Sequence, residues 1–155
     1  MRRMTDVDEV MTWRREVIAC VFRTEPSGEL LEANRKYFLR NGEGKGWIAF
    51  LEEADGRGAG CGIICFREEL PSPDNPSGRC AWLMNIYVRP EFRRQGVGRR
   101  IVGALVAEAH RRGCGRIGLE TTPAGRTLYL DAGFADAAGV MEYDCRKDIS
   151  VFDYE

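Results

Sequence analysis

The apolar positions of this chain change period several times, and each change marks the start of a new element. From about residue 6 to 22, Val10, Trp13, Val17, Ile18, Val21 and Phe22 recur at helical spacing. After a Pro26-Ser27-Gly28 turn, a second helical stretch from about 29 to 40 carries Leu30, Leu31, Tyr37 and Phe38 and stops at Asn41-Gly42. The period then becomes that of strands. Residues 47–51 and 61–66 read as a hairpin closed through Asp55-Gly56-Arg57-Gly58. A loop at 71–78 holds three prolines and a glycine, and beyond it residues 80–88 are apolar on both faces, which suits a strand inside a sheet covered by helices. Helical spacing returns over 98–112, where Ile101, Val102, Leu105, Val106 and Ala109 share a face and Gly113 is the stop. A short strand over 116–120 comes next. Thr122-Pro123 then opens a helix as cap and first position, the helix ends near Gly133, and Val140-Met141-Glu142-Tyr143 begins a last strand.

This order predicts an α+β fold with a mixed, mostly antiparallel twisted sheet and helices on both faces. The strand-helix-strand unit over 81–120 is expected to be parallel and right-handed. At 155 residues, with no internal repeat, the chain is read as a single domain over 1–155. Its 44% hydrophobic content sustains a core without disulfide or metal staples. No apolar run approaches the roughly 20 residues of a membrane span, and Met1-Arg2-Arg3-Met4-Thr5-Asp6 leads into a charged stretch, so a cytoplasmic location is expected.

Charge changes the picture more than composition does. Residues 89–116 hold eight arginines against Glu91 and Glu108, a local +6 in a chain whose total is −1, so the remainder carries −7. Such a cluster in a mildly acidic protein points to one anionic ligand at one place, whereas a nucleic-acid footprint would make the whole domain basic. The six cysteines are scattered in apolar or small-residue settings and read as buried or partly buried free thiols. Cys61 and Cys65 have no second pair to complete a zinc site, and no metal is expected. His110, the sole histidine, sits near a helix end beside Arg111 and Arg112, where a cation suits the helix dipole, and it leaves hydrolase-type triads without a base.

The cluster surrounds Arg93-Arg94-Gln95-Gly96-Val97-Gly98, between the buried strand and the amphipathic helix. Glycines at such a turn leave backbone N–H groups free to face a phosphate at the positive helix end. A P-loop is excluded by the glycine spacing, and a dinucleotide fingerprint fails because its third glycine would fall on Ile101. The spacing that does fit is Q/R-x-x-G-x-G/A.

With these residues in place, the chain resembles the GNAT superfamily of N-acetyltransferases. Asn85-Ile86-Tyr87-Val88 followed by Arg89-Pro90-Glu91-Phe92 and the glycine loop is similar to the family's central strand and pyrophosphate loop, and Leu128-Tyr129 with Gly133-Phe134 is similar to its L-Y-x-x-x-G-F helix end. The resemblance implies α/β/α layers and acetyl-CoA as co-substrate. It implies direct acetyl transfer to a primary amine of a small-molecule or peptide acceptor through a ternary complex, and it leaves a homodimer open. The backbone of Ile86, Tyr87 and Val88 would pair with the pantetheine arm where two strands splay. The amides of Arg94, Gln95, Gly96, Val97, Gly98 and Arg99 would hold the pyrophosphate, with Arg93 as electrostatic support.

Three side chains are candidates for chemistry. Tyr129 suits donation of a proton or hydrogen bond to the leaving thiolate, or packs as a core aromatic. The central strand lacks the glutamate many family members place there. Glu120 therefore stands as a candidate base beside its reading as a surface carboxylate, and proton removal by water remains open. Asn85 orients a water or the acceptor, or is a core amide. The resemblance implies an acceptor site bordered by the first two helices and their loop at about 22–33, with the loop at 68–79 as a second candidate wall, and Glu25, Glu29, Glu32, Glu68, Glu69 and Asp74 read as attractors of a cationic amine or as a solvated face. The alternative class is a non-catalytic acyl-CoA-binding sensor or scaffold.

Overall fold

The computed structural model describes residues 1–146. Helix α1 (Val7–Phe22) begins where the Asp6 carboxylate accepts the Asp8 N–H at 3.0 Å, and α2 (Gly28–Asn41) where the Ser27 hydroxyl accepts the Leu30 N–H at 3.1 Å. Strands β2 (Trp47–Ala54) and β3 (Arg57–Glu68) form the expected hairpin, followed by β4 (Arg79–Val88), a 3₁₀ turn at Pro90–Phe92, α3 (Val97–Arg111), β5 (Arg116–Gly118) and α4 (Arg126–Asp131). One strand precedes them all. β1 (Arg2–Met4) pairs antiparallel with β2, anchored by a fully buried Met4, and three residues with two arginines carry no strand periodicity to announce it.

The strands lie in the order β1-β2-β3-β4-β5, antiparallel throughout except for the parallel β4·β5 pair around α3. Alternation along β2 builds two cores. Trp47, Ala49 and Leu51 face α1 and α2 with Val10, Trp13, Val17 and Phe38, while Ile48 faces α3 with Ile101, Val102 and Leu105. No helix among the described residues is long and apolar enough to cross a membrane.

Two irregularities in β4 shape everything that follows. Opposite β3, Cys61 pairs with Tyr87 and Ile63 with Met84, so Asn85 and Ile86 together face the single residue Gly62. This is a β-bulge, and Asn85 takes it up in the left-handed region at φ 57°, which asparagine tolerates better than most residues. The extra residue shifts the alternation. Met84 and Asn85 both face α1 and α2, whereas Ile86 and Val88 join Leu83 on the α3 side. Gly62 permits the close approach, since a Cβ there would lie 2.6 Å from Ile101 and 2.8 Å from Ile86. The second irregularity is that β5 pairs only with Cys80, Ala81 and Trp82. Beyond Leu83 this edge of β4 parts from β5.

Several expectations need correction. The α4 helix is only six residues long, because Thr122 and Pro123 form a turn in which Gly125 donates to the Thr122 hydroxyl at 3.3 Å before the helix proper starts. Val140, Met141, Glu142 and Tyr143 are exposed and form no strand, and any continuation beyond residue 146 lies outside the described residues. Cys20 and Cys145 are exposed rather than buried, although all six thiols are free.

Candidate active site

The glycine loop hangs from the end of β4. Pro90–Phe92 turns the chain, buried Phe92 and Val97 pin the loop to the α3 core, and Arg93, Arg94, Gln95 and Gly96 remain exposed between them. Gly96 is the N-cap of α3 at φ 78°, a left-handed position no side chain stabilises. The first main-chain bond of the helix runs from the Arg100 N–H to the Gly96 carbonyl at 3.0 Å, so the N–H groups before it lack partners within the helix and mark its positive end. Gly98 serves a different end. A Cβ there would lie 3.2 Å from Leu128 and 3.6 Å from Val88, so its bareness lets α4 dock on the first turn of α3 and on β4.

The arginine cluster is not one device, contrary to the sequence reading. Five of the eight arginines reach carboxylates: Arg89 grips Glu16 through two bonds of 2.8 and 2.7 Å, Arg100 reaches Glu52 at 2.7 Å, Arg111 and Arg112 share Glu108, and Arg116 meets Glu69 and Asp74. These pairs fasten strands and helices together. Only Arg93, Arg94 and Arg99 have no carboxylate partner among the described residues, and Arg93 Nε donates to the Val88 carbonyl at 3.0 Å, tying the loop to the strand. The net positive field at the loop therefore comes from three side chains.

On the far wall of the gap beside β4, α4 carries Tyr129. It is half-buried, packs edge-on against Phe134 with ring centroids 5.9 Å apart, and belongs to the same apolar cluster as Ile86 and Val88. Burial pushes its hydroxyl above the ordinary tyrosine value, so it stays protonated at neutral pH. Glu120 stands exposed, two residues past the end of β5, with no ion pair among the described residues. Tyr87 points to the other side, buried against α1 with its hydroxyl 3.4 Å from the Cys20 sulfur and its pKa pushed up to about 12 by burial and by that contact.

Across the sheet from α3, the bulge opens a cavity of about 250 Å³ between β4 and the first two helices. Ala33, Phe38, Ile63 and Met84 supply apolar walls, and Arg14, Asn34, Tyr37, Cys65 and Asn85 supply polar atoms. Asn85, an open candidate in the sequence, is nine-tenths buried and accepts from Arg14 Nη1 at 2.9 Å. Arg14 itself was not foreseen; its sequence signal is a cation one residue beyond Trp13, at the edge of the apolar stripe of α1. Among the described residues, no carboxylate lines this cavity. Burial holds Tyr37 and Cys65 above their ordinary values, so neither is a base at neutral pH. The loop at 68–79 is not its wall either: it folds over the opposite end of the sheet, where the Gly115 N–H bonds the Arg79 carbonyl at 2.9 Å and Ser77 reaches the Gly113 carbonyl at 3.2 Å. Glu25 and Glu32 pair with Arg15 and Lys36 on the outside.

A strand edge unpaired beyond Trp82, a helix start with no side-chain cap and three arginines without carboxylate partners among the described residues lie on the α3 side, and the bulge in the same strand borders the cavity on the other face. No group of three or more His, Cys, Asp or Glu set to hold a metal is found among the described residues. No curated protein matches the sequence. The fold is shared with a predicted acetyltransferase from Clostridium acetobutylicum, determined with acetyl-CoA (23% identity, TM-score 0.80, covering 92% of this chain and 94% of that one). It is shared with the glucosamine-6-phosphate N-acetyltransferase of Arabidopsis thaliana (16% identity, TM-score 0.66, coverage 93% and 96%). Aminoglycoside N-acetyltransferase AAC(6')-Iy, in complex with a bisubstrate analogue, is similar as well (21% identity, TM-score 0.72, coverage 94% and 97%). The sequence model of the Acetyltransferase (GNAT) family matches residues 8–134, which span both the cavity and the glycine loop, and the chain belongs to that family.

Proposed function

We propose that this protein transfers the acetyl group of acetyl-CoA to an amine by direct attack in a ternary complex. The observation that carries this reading is the bulge at Asn85 and Ile86, which lies between the end of β4 that leads into the glycine loop and the cavity under α1 and α2. Acetyl-CoA would supply an activated thioester, its pantetheine arm along Ile86, Tyr87 and Val88 and its pyrophosphate at the amides of residues 94–99. A main-chain N–H of the splayed segment stabilises the oxyanion formed when the amine nitrogen attacks the carbonyl carbon. The carbon–sulfur bond then breaks, and the proton lost by nitrogen is balanced by one gained at sulfur.

Tyr129 is the donor to the leaving sulfur. Its raised pKa makes full proton release uphill toward a thiolate whose ordinary value is about 8.5, so the hydroxyl hydrogen-bonds the sulfur as charge develops and the thiolate then takes its proton from water. With no carboxylate on the cavity among the described residues, nitrogen loses its proton to water, and Glu120 is not required. Tyr129→Phe is expected to lower kcat about tenfold to a thousandfold while acetyl-CoA affinity, measured by calorimetry, stays within a factor of about two. Full turnover by the variant in a free-CoA release assay removes the role. Acetyl-CoA binding without CoA release across a broad amine panel would instead assign the protein to acyl-CoA sensing.

A further inference from the structure

Arg14 is the anomaly of the cavity. Its neighbours on the same two helices, Arg15 and Arg35, are exposed and reach Glu25 and Asp8. Arg14 is half-buried yet has no carboxylate partner among the described residues. A buried guanidinium cannot shed its charge and is normally paired, so leaving one with neutral partners costs folding free energy unless something else answers it. Desolvation works against the charged form here, and only the thiols of Cys65 and Cys61 oppose it.

The geometry around Arg14 is built rather than incidental. Nε donates to Asn34 Oδ1 at 2.9 Å and Nη1 to Asn85 Oδ1 at 2.9 Å. Both asparagines present their oxygens inward because their nitrogens are committed elsewhere, Asn34 Nδ2 to the Leu30 carbonyl at 2.8 Å and Asn85 Nδ2 toward the Cys61 sulfur at 3.7 Å. The fork is thereby held from two sides. Nη2 has no hydrogen-bond partner among the described residues and is not sealed from solvent, and Arg14 lines the cavity. One side of a planar donor pair is left for a ligand oxygen.

We infer that the acceptor is a small amine bearing a carboxylate, recognised by Arg14, with an apolar body against Ala33, Phe38, Ile63 and Met84. This rests on the acetyl-transfer reading and deepens it. A cavity of about 250 Å³ with largely apolar walls gives a small apolar body room beside the guanidinium. Arg14 is the sole charged residue lining it among the described residues, which matches a monoanionic carboxylate rather than a phosphate dianion, and it repels a polycation. The anchor is also close to the chemistry. Arg14 bonds the side chain of Asn85, whose next residue begins the segment beside the thioester, so an amine one carbon from a carboxylate spans the two.

The test is a matched panel assayed by free-CoA release: valine, leucine, methionine and phenylalanine, each beside its carboxamide and its decarboxylated amine, together with spermidine and glucosamine 6-phosphate. The preferred amino acid is expected to exceed its carboxamide in kcat/KM by about tenfold to a hundredfold, the worth of a hydrogen bond between charged partners. Arg14→Gln collapses that ratio toward one, mainly through KM, and Arg14→Lys keeps part of it; acetyl-CoA calorimetry on both variants shows that they are folded. Release with the neutral, polycationic or phosphorylated amines but not with the carboxylated ones overturns the carboxylate and leaves acetyl transfer standing. An undiminished ratio in Arg14→Gln overturns the role of Arg14. Silence across the whole panel from protein that binds acetyl-CoA overturns transfer itself, and this inference with it.

Discussion

Asn85 shows how much one residue settles. It sits at φ 57°, supplies the extra residue of the bulge, turns its amide onto the cavity face and orients Arg14. Two of these tasks separate by substitution. Glycine keeps the left-handed backbone but loses the bond to Arg14, whereas alanine loses the bond and also strains the backbone. Asn85→Ala is therefore expected to be less stable than Asn85→Gly by about 1 kcal/mol, read from urea unfolding midpoints. Equal midpoints would mean that the backbone conformation carries no cost there. Glu108 makes a second residue-scale prediction. Burial alone would raise its carboxyl pKa, but the bonds from Arg111 and Arg112 outweigh burial and hold it below the ordinary 4.5. A lowered folded value stabilises the protein above the unfolded value and loses that contribution as pH falls through the folded one. Glu108→Gln should unfold more easily near neutrality, with the gap to the native protein closing as the pH drops below 4.5 in a pH series of thermal melts.

Among the elements, β4 has three jobs along its length. Its first residues pair with β5, its middle bulges over Gly62, and its end carries the glycine loop, held there by Arg93 on the Val88 carbonyl and by the Arg89–Glu16 pair to α1. The bulge depends on the bare Gly62 beneath it. Gly62→Ala would force Ile101, Ile86 and Leu105 aside, with an expected loss of about 1 to 3 kcal/mol and a weaker acetyl-CoA interaction because Ile86 belongs to the splayed segment. A melting temperature and an acetyl-CoA affinity both unchanged in this variant would show that β4 does not need the close approach. Helix α4 depends in the same way on Gly98, where Leu128 docks.

At the scale of the molecule, charge is partitioned rather than pooled. Pairing of five arginines with Glu16, Glu52, Glu69, Asp74 and Glu108 spends most of the +6 on holding elements together and leaves Arg93, Arg94 and Arg99 exposed at the loop. Acetyl-CoA affinity should accordingly weaken as salt shortens the Debye length from about 10 Å at 0.1 M to about 3 Å at 1 M. The double variant Arg94→Ala with Arg99→Ala should show a shallower salt dependence; an equal slope would place the electrostatics elsewhere. The first three helices, the hairpin, the glycine loop and the family were legible in the chain, because apolar periodicity and glycine spacing are local properties written in consecutive residues. The strand β1, the pairing of the arginines and the role of Arg14 were not. Met4 becomes a core residue only against β2, Glu16 meets Arg89 across 73 positions of sequence, and Arg14 meets Asn85 across 71. Sequence determined the family and where the glycine loop lies; the tertiary structure decided which residues line the cavity under α1 and α2, because a cavity is made by residues that only folding brings together.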